Sequence, residues 1–329
     1  MAEICTAAPS VSVVLPAYNA AAQLPAAVAS VLTQSLTDLE IIIVDDASED
    51  DTLAVARRLA TADSRIRIIA AESNGGPAAA RNRGLEVARG RWIALLDADD
   101  AFLPQRLSRL LETAEQAGAD LIADNLLLEE GGGRAEAMIS TGSQPYCRQL
   151  SGAGFLLGNL PDRTQPRRSY GFLKPMISRA FLQSQGLRYD ETLRFAEDFA
   201  FYLDCFTAGA RFLLLREPLY RYRIRGDSLT ARHSIDDLRR FQALHAQLLG
   251  SGRNLDPTFL AALRRHKRAV DPRLQWRLVM QALKQGTWGE ALAASLKGWH
   301  VFPYVAGQLL GEAWRRAASA AGGARAAET

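Results

Sequence analysis

The segment RWIALLDADDAF (residues 91–102) runs an unbroken apolar stretch into three carboxylates, Asp97, Asp99 and Asp100. Nothing polar interrupts residues 92–96, so the stretch reads as a strand buried on both faces. Three anions at the mouth of such a strand repel one another unless a cation or a proton shares the site. A single Asp needs no chemistry, because Asp ends strands and opens turns on its own account. Two other segments gather carboxylates at the edge of an element. LEIIIVDDAS (residues 39–48) closes an apolar run on Asp45 and Asp46, and FAEDFAFYL (residues 195–203) sets Glu197 and Asp198 ahead of a helical pattern. Acidic residues favour helix N-termini, so the second pair also has a purely structural reading.

The elements that position these groups follow from the hydrophobic pattern. SVSVVLP (residues 10–16), LEIIIVDD (39–46), IRIIA (66–70) and RWIALL (91–96) read as strands. The first is followed by a helix with Leu24, Val28, Val31 and Leu32 on one face, the second by one carrying Leu53, Ala56, Leu59 and Ala60. After the third strand, Pro77 stands near the first position of another helix and Gly90 lies past its end. Strand and helix alternating at this spacing imply a parallel sheet with helices on both faces. Ligands collect outside the carboxyl ends of strands in such sheets. That rule brings PAYN (16–19), DDAS (45–48) and DADD (97–100) to one mouth.

Further on, a helix from residue 104 leads into the strand ADLIADNLLL, and residues 169–209 read as strand, helix, loop and helix. RFLLLREPLYRYRIRGDSLT (211–230) reads as a strand followed by an Arg-rich loop, and the pattern beyond 233 is helical. Asp100 reads as a helix cap ahead of Pro104.

Composition narrows the function classes. The chain has 329 residues, 48% hydrophobic and 23% charged, as expected of a globular protein with one large domain and an appendage, or two domains. Its net charge of +3 is uneven: residues 253–329 hold 12 Lys/Arg against 5 Asp/Glu. Cys5, Cys147 and Cys205 show no Cys-x-x-Cys, and His233, His245, His266 and His300 show no metalloprotease spacing. Neither a Gly-x-Gly-x-x-Gly after the first strand nor a P-loop is present, which disfavours dinucleotide oxidoreductases and P-loop NTPases. MAEICTAAPS lacks the charged and apolar regions of a signal peptide, and no apolar run approaches the ~18 residues of a membrane span. A cytoplasmic location is expected.

Taken in order and spacing, VSVVLPAYN…IIIVDDASEDDT, SNGGPAAARNRGLEVARGRWIALLDADD and FAEDFAFYL resemble the family 2 glycosyltransferases, over roughly residues 11–225. LKPMISRAFLQSQGLRYDETLRFAEDFAFYL is most similar to the non-processive bacterial enzymes that build surface or exopolysaccharide repeats. The Gln-x-x-Arg-Trp of the processive members is absent. The resemblance implies a GT-A fold: α/β, Rossmann-like, with a mostly parallel central sheet, plus a C-terminal helical extension. Residues 1–105 would form the nucleotide-sugar-binding half, 106–230 the acceptor-binding and catalytic half, and 231–329 the basic helical extension.

It also implies an inverting, metal-dependent transfer from a nucleoside diphosphate sugar, typically UDP-linked, to a hydroxyl on a saccharide or lipid-linked acceptor. Pro16, Ala17, Tyr18 and Asn19 would lie against the nucleoside, with a Tyr18 ring face toward the base. Asp46, with Asp45 as the neighbouring candidate, would accept from the uracil N–H. Asp97-Ala98-Asp99 matches the family's Asp-x-Asp motif, which holds Mn²⁺ or Mg²⁺ on the diphosphate. Asp99 is the expected direct ligand, with Asp97 nearer the ribose or a metal-bound water. Asp198 would be the general base. Arg221, Arg223 and Arg225 would close over the diphosphate about Gly226, and Arg81 is a further cation for it, each against the alternative of a solvated basic residue. In VDDAS, Ala47 stands where the family more often has Gly.

Beyond residue 230 the resemblance fades. Basic residues there alternate with Leu and with Trp299, Phe302, Tyr304 and Trp314, which suits a helix lying on anionic lipid at the inner face of the cytoplasmic membrane. Packing on the catalytic domain and homodimer formation are the competing uses. Nucleic acid is not an expected partner, because no recognised module accompanies the basic residues. Two other functions stay open: a nucleotide-sugar-binding scaffold without turnover, and a sugar nucleotidyltransferase. PAYNAAAQ lacks the glycines and cation the latter usually carries in its first loop.

Overall fold

A computed structural model describes residues 8–130, 135–140, 146–160, 168–224, 234–251, 255–297, 301–308 and 310. The chain forms two compact units, Met1–Arg232 and His233–Thr329. In the first, the opening elements are β1 (Val11–Ala17), α1 (Leu24–Leu32), β2 (Leu39–Asp45), α2 (Thr52–Ala62), β3 (Ile66–Ala70), α3 (Gly76–Val87) and β4 (Trp92–Leu95). They are the strands and helices the apolar runs predict. Every residue of β2 and β4 is buried, as two-sided coverage of parallel strands requires.

The second half adds β5 (Ala101–Phe102), α4 (Arg106–Ala117), β6 (Leu121–Glu129), β7 (Ala135–Ala137), β8 (Cys147–Leu150) and α5 (Gly152–Gly158). A short 3₁₀ turn (Tyr170–Phe172), β9 (Met176–Ser178), α6 (Arg179–Gln185), α7 (Glu197–Thr207) and β10 (Phe212–Arg223) complete the unit. Among the described residues one sheet runs β3-β2-β1-β4-β9-β6-β10-β5, with β7 on β6 and β8 on β10. β3, β2, β1 and β4 pair in parallel. The sheet then turns mixed, because β9 is antiparallel to both β4 and β6. This is the α/β, GT-A-type architecture expected, with directions mixed beyond the Rossmann-like half.

β10 differs from the expectation of a strand followed by an Arg-rich loop. It continues through Arg221 and Arg223, pairing with β6 and β5. Pro218 lacks a ladder N–H, and the register shifts fall on either side of it, so the bulge accommodates the proline within the strand. Arg225 and Gly226 lie outside the described residues.

Two close fits fix α3 and α4. A Cβ on Gly84 would lie 2.3 Å from Val14 Cγ1, so glycine there lets α3 lie tightly on β1. Arg106 of α4 is fully buried with Asp124 of β6, its Nη2 2.7 Å from Asp124 Oδ1. Its guanidinium also lies 4.3 Å from the Phe102 ring centroid and donates to the Lys174 carbonyl. Asp124 Oδ2 accepts from Leu219 N of β10 at 3.0 Å, so one buried pair joins α4, β6, β10 and the segment before β9.

The second unit contains α8 (Ile235–Gly250), α9 (Pro257–Gln285) and α10 (Trp288–Ser295). Ser234 and Asp237 form a reciprocal capping box on α8, and Asp256 caps α9. His245 and His266 are a buried, hydrogen-bonded pair at 2.9 Å. On α10, Ala291 turns inward while Trp288 and Leu292 are 73% and 60% exposed. Among the described residues no helix is long and apolar enough to cross a membrane.

Removing Arg106 leaves Asp124 as an uncompensated buried charge. Arg106→Met is expected to lose about 3–5 kcal/mol of stability, measured as a lower urea midpoint for the first unit. An unchanged midpoint would contradict the role given to this pair.

Candidate active site

Ala17, Asp45 and Leu95 end the three central parallel strands, and the loops that follow are tied to one another. Asp46 N donates to Ala17 O at 2.9 Å, Asn19 N to Ser48 Oγ at 3.0 Å, and Glu49 N to Asn19 Oδ1 at 2.9 Å. Among the described residues, the non-glycine residues with positive φ are Asn19 (50°), Ala47 (58°) and Ala196 (59°). All three fall in the motif loops. Each costs about 1–2 kcal/mol for an L-residue, and such strain persists where the surroundings over-determine the backbone. The left-handed φ at Ala47 is one that glycine adopts without strain.

Five charged side chains converge where β4 ends and α7 begins. Arg81, projecting from α3, is 3% exposed. Its Nη2 lies 3.0 Å from Asp97 Oδ1, and its Nη1 lies 2.6 Å from Glu197 Oε1 and 3.3 Å from Asp198 Oδ1. Lys174 Nζ lies 2.9 Å from Asp97 Oδ2 and 2.7 Å from Asp198 Oδ2. Burial alone would push Asp97 up, but Lys174 and Arg81 outweigh it and hold the carboxyl well below its ordinary range. Burial would likewise lower Lys174, yet Asp198 and Asp97 keep it raised. Asp97 and Lys174 are therefore both ionised at neutral pH. Arg81 also stacks on Tyr189, 5.5 Å from its ring centroid, and Tyr189 in turn stacks on Phe201 of α7.

The expected cation for the diphosphate at Arg81 is thus a buried cation committed to three carboxylates. Lys174 escapes a sequence reading, since its partners are distant in the chain. The one available signal is a lysine set between apolar residues in GFLKPMI, because lysine is almost never fully buried unless paired.

Asp100 is not a helix cap. It is 2% exposed and accepts from Tyr220 Oη at 2.7 Å and Arg223 N at 2.9 Å, both on β10. Burial, then Asp97 and Asp99, push its carboxyl well above the usual range. Asp46 is likewise occupied. Its carboxylate accepts from Gly75 N and from Gly76 N at the start of α3, and pairs with Arg83 at 2.8 Å, where a helix N-terminus welcomes an anion. Asp45 differs, for its buried Oδ1 has no hydrogen-bond partner. Tyr18 is 47% exposed, while Asn19 chiefly fastens the first two loops together. Ala17 and Ala98 are buried and Pro16 is half-buried. Arg221 and Arg223 sit on β10 with Glu129 at 3.8 Å from each, rather than on a loop able to close.

Of the carboxylates expected at a cation, Asp97 has both oxygens on Arg81 and Lys174, and Asp99 stays half-buried at the turn. Among the described residues no group of three or more His, Cys, Asp or Glu could hold a metal unaided. One carboxylate with diphosphate oxygens and water suffices for Mg²⁺ or Mn²⁺. The residues present fit such an ion through Asp99, with Asp97 belonging to the ion-pair cluster.

Comparisons with known proteins bear on the family and the fold. The family model for glycosyl transferase family 2 matches residues 12–172. The chain is 37% identical over 316 residues to the succinoglycan biosynthesis protein ExoU of Rhizobium meliloti (strain 1021), covering 94% of this chain and 90% of that one. Among solved structures, S. aureus TarS 1-349 in complex with UDP-GlcNAc superposes with a TM-score of 0.62 at 17% identity, over 88% of this chain and 91% of that one. The mannosyltransferase PcManGT of Pyrobaculum calidifontis, in complex with GDP-Man and Mn2+, gives 0.56 at 18% identity, over 93% and 81%. With strand-end motifs, fold and a relative alike over nearly its whole length, the chain belongs to glycosyl transferase family 2 and is a glycosyltransferase.

Proposed function

We propose that the chain moves a sugar from a UDP-linked donor to a hydroxyl acceptor, by one displacement with inversion, in the assembly of a bacterial exopolysaccharide or surface polysaccharide. The observation that carries this reading is Asp198, buried at the start of α7 and held by Lys174 and Arg81 within one ion-pair cluster with Asp97 of the Asp-x-Asp turn. A base must sit beside the donor's anomeric carbon, and this cluster joins the two halves such a reaction needs. The succinoglycan protein named above supports the biosynthetic setting, and the TarS complex supports UDP as the nucleotide.

In this reading the uracil edge meets Asp45, since Asp46 is committed to α3, and the exposed Tyr18 ring covers the base. Asp97 borders the ribose. Asp99 would hold Mn²⁺ or Mg²⁺, whose chemistry when bound is Lewis-acid stabilisation of charge on the departing diphosphate. Arg223, its guanidinium 3.8 Å from Glu129, is a cation for the diphosphate, with Arg225 two residues on in the sequence. Asp198 takes the acceptor's hydroxyl proton as the oxygen bonds to C1 and the C1–O bond to UDP breaks, its electron pair leaving with the diphosphate. The exposed Trp288 and Leu292 on α10, with Lys297 just beyond it, support peripheral attachment to an anionic membrane that carries a lipid-linked acceptor.

Calorimetry with UDP tests the donor site. Binding is expected to strengthen with Mn²⁺ in the wild type and to lose that dependence in Asp99→Ala. Failure of UDP to bind under both conditions would remove the uridine assignment, and GDP would be tried next. Turnover separates an enzyme from a scaffold. Asp198→Asn should lower UDP release from a UDP-sugar by about 10²–10⁴-fold while UDP still binds. Unchanged release would exclude Asp198 as the base.

A further inference from the structure

Lys174 is held more firmly than an ordinary buried ion. Its own carbonyl accepts from Arg106, and the carbonyl of Leu173 accepts from Tyr202 Oη of α7 at 2.7 Å. Pro175 follows, and the residue before a proline is restricted to extended conformations. The backbone is therefore fixed from α4 on one side and from α7, the helix that begins with the base, on the other. From that anchored position one ammonium group reaches a carboxylate oxygen of Asp97 at 2.9 Å and one of Asp198 at 2.7 Å.

Two properties separate this from a cation waiting for the diphosphate. The Lys174 side chain is only 5% exposed, and its two contacts are to carboxylates of different elements. Asp198 Oδ1, the other oxygen of the carboxylate, is buried and without a hydrogen-bond partner, although Arg81 Nη1 lies 3.3 Å away. The hydrogen bond from Lys174 to Oδ2 is thus the directional restraint on the orientation of this carboxylate. Buried ion clusters stabilise folds poorly compared with apolar packing, so their presence beside a reaction centre calls for another use.

We propose that Lys174 is a positioning residue of the transfer reaction, keeping the Asp198 carboxylate in register with the Asp97 donor turn. It acts on turnover and leaves donor affinity alone. The inference rests on Asp198 being the base. Misplacing a reacting group by about 1 Å can cost about 10²-fold in rate, which sets the scale. The lysine takes no proton and forms no bond: the acceptor proton passes to Asp198, and the electron pair of the broken C1–O bond leaves with UDP.

The test measures UDP release from a UDP-sugar, with water as acceptor, beside the calorimetric Kd for UDP. Lys174→Met should lower release about 10²-fold with Kd changed by less than about twofold, and methylammonium or ethylammonium should restore part of the rate in Lys174→Ala. Tyr202→Phe leaves every charge in place and frees only the Leu173 carbonyl. It should lower release several-fold at unchanged Kd, and it decides the matter should the lysine variants not fold. A Kd weakened in step with the rate would make Lys174 a diphosphate ligand and overturn the proposal. So would unchanged release in Lys174→Met or, if that variant does not fold, in Tyr202→Phe. Release abolished by Asp198→Asn but intact in Lys174→Met would sink this inference alone, whereas release intact in Asp198→Asn would sink the assignment of the base.

Discussion

Two largely buried cations, Arg81 and Lys174, hold three partly buried carboxylates, Asp97, Glu197 and Asp198. Removing that many charges from water costs several kcal/mol per ion, and the mutual attraction offsets it only when each group is held in place. The rest of the first unit can be understood as the means of holding them. Close packing of α3 on β1 at Gly84 presents Arg81, and α7 begins at Ala196 in a left-handed turn that starts the helix on Glu197 and Asp198. Tyr202 and Arg106 pin the two peptide carbonyls on either side of the Lys174 Cα.

A second ion pair lies beneath the first and serves a different end. Arg106 and Asp124 are fully enclosed, with Phe102 and Tyr220 rings against the guanidinium. Tyr220 then continues upward, donating to Asp100 and accepting from Asp97 N at 3.2 Å. The Asp-x-Asp turn is therefore supported from below by a buried scaffold and faced from the side by the cluster. Preorganisation of this kind, in which each reactive group is fixed by a neighbour that is itself fixed, is what a displacement reaction requires of a protein.

Much of this was legible in the sequence, and the gaps have physical causes. Apolar runs ending in polar residues marked β1, β2 and β4 and the three loops, because two-sided burial leaves no other pattern. The extent of β10 was hidden by Pro218 and by alternating arginines that resemble a loop. Asp45 and Asp46 are adjacent in sequence with opposite fates, and only the position of α3 reveals that Asp46 serves the helix N-terminus. Asp100 resembled a cap because its true partners, Tyr220 and Arg223, lie more than a hundred residues away. Lys174 is the clearest case: a lysine in an apolar segment carries no periodic signal, and its role arises only when β4, the β9 approach and α7 meet.

In the proposed reaction Asp198 serves a single displacement at the anomeric carbon. The most direct measurement follows the anomeric configuration of the first sugar released from a UDP-α-sugar, by proton NMR before mutarotation. Direct attack by an oxygen deprotonated at Asp198 predicts the β anomer as the initial product. An initial α anomer would mean two displacements or a different mechanism, and would contradict the role assigned to the cluster.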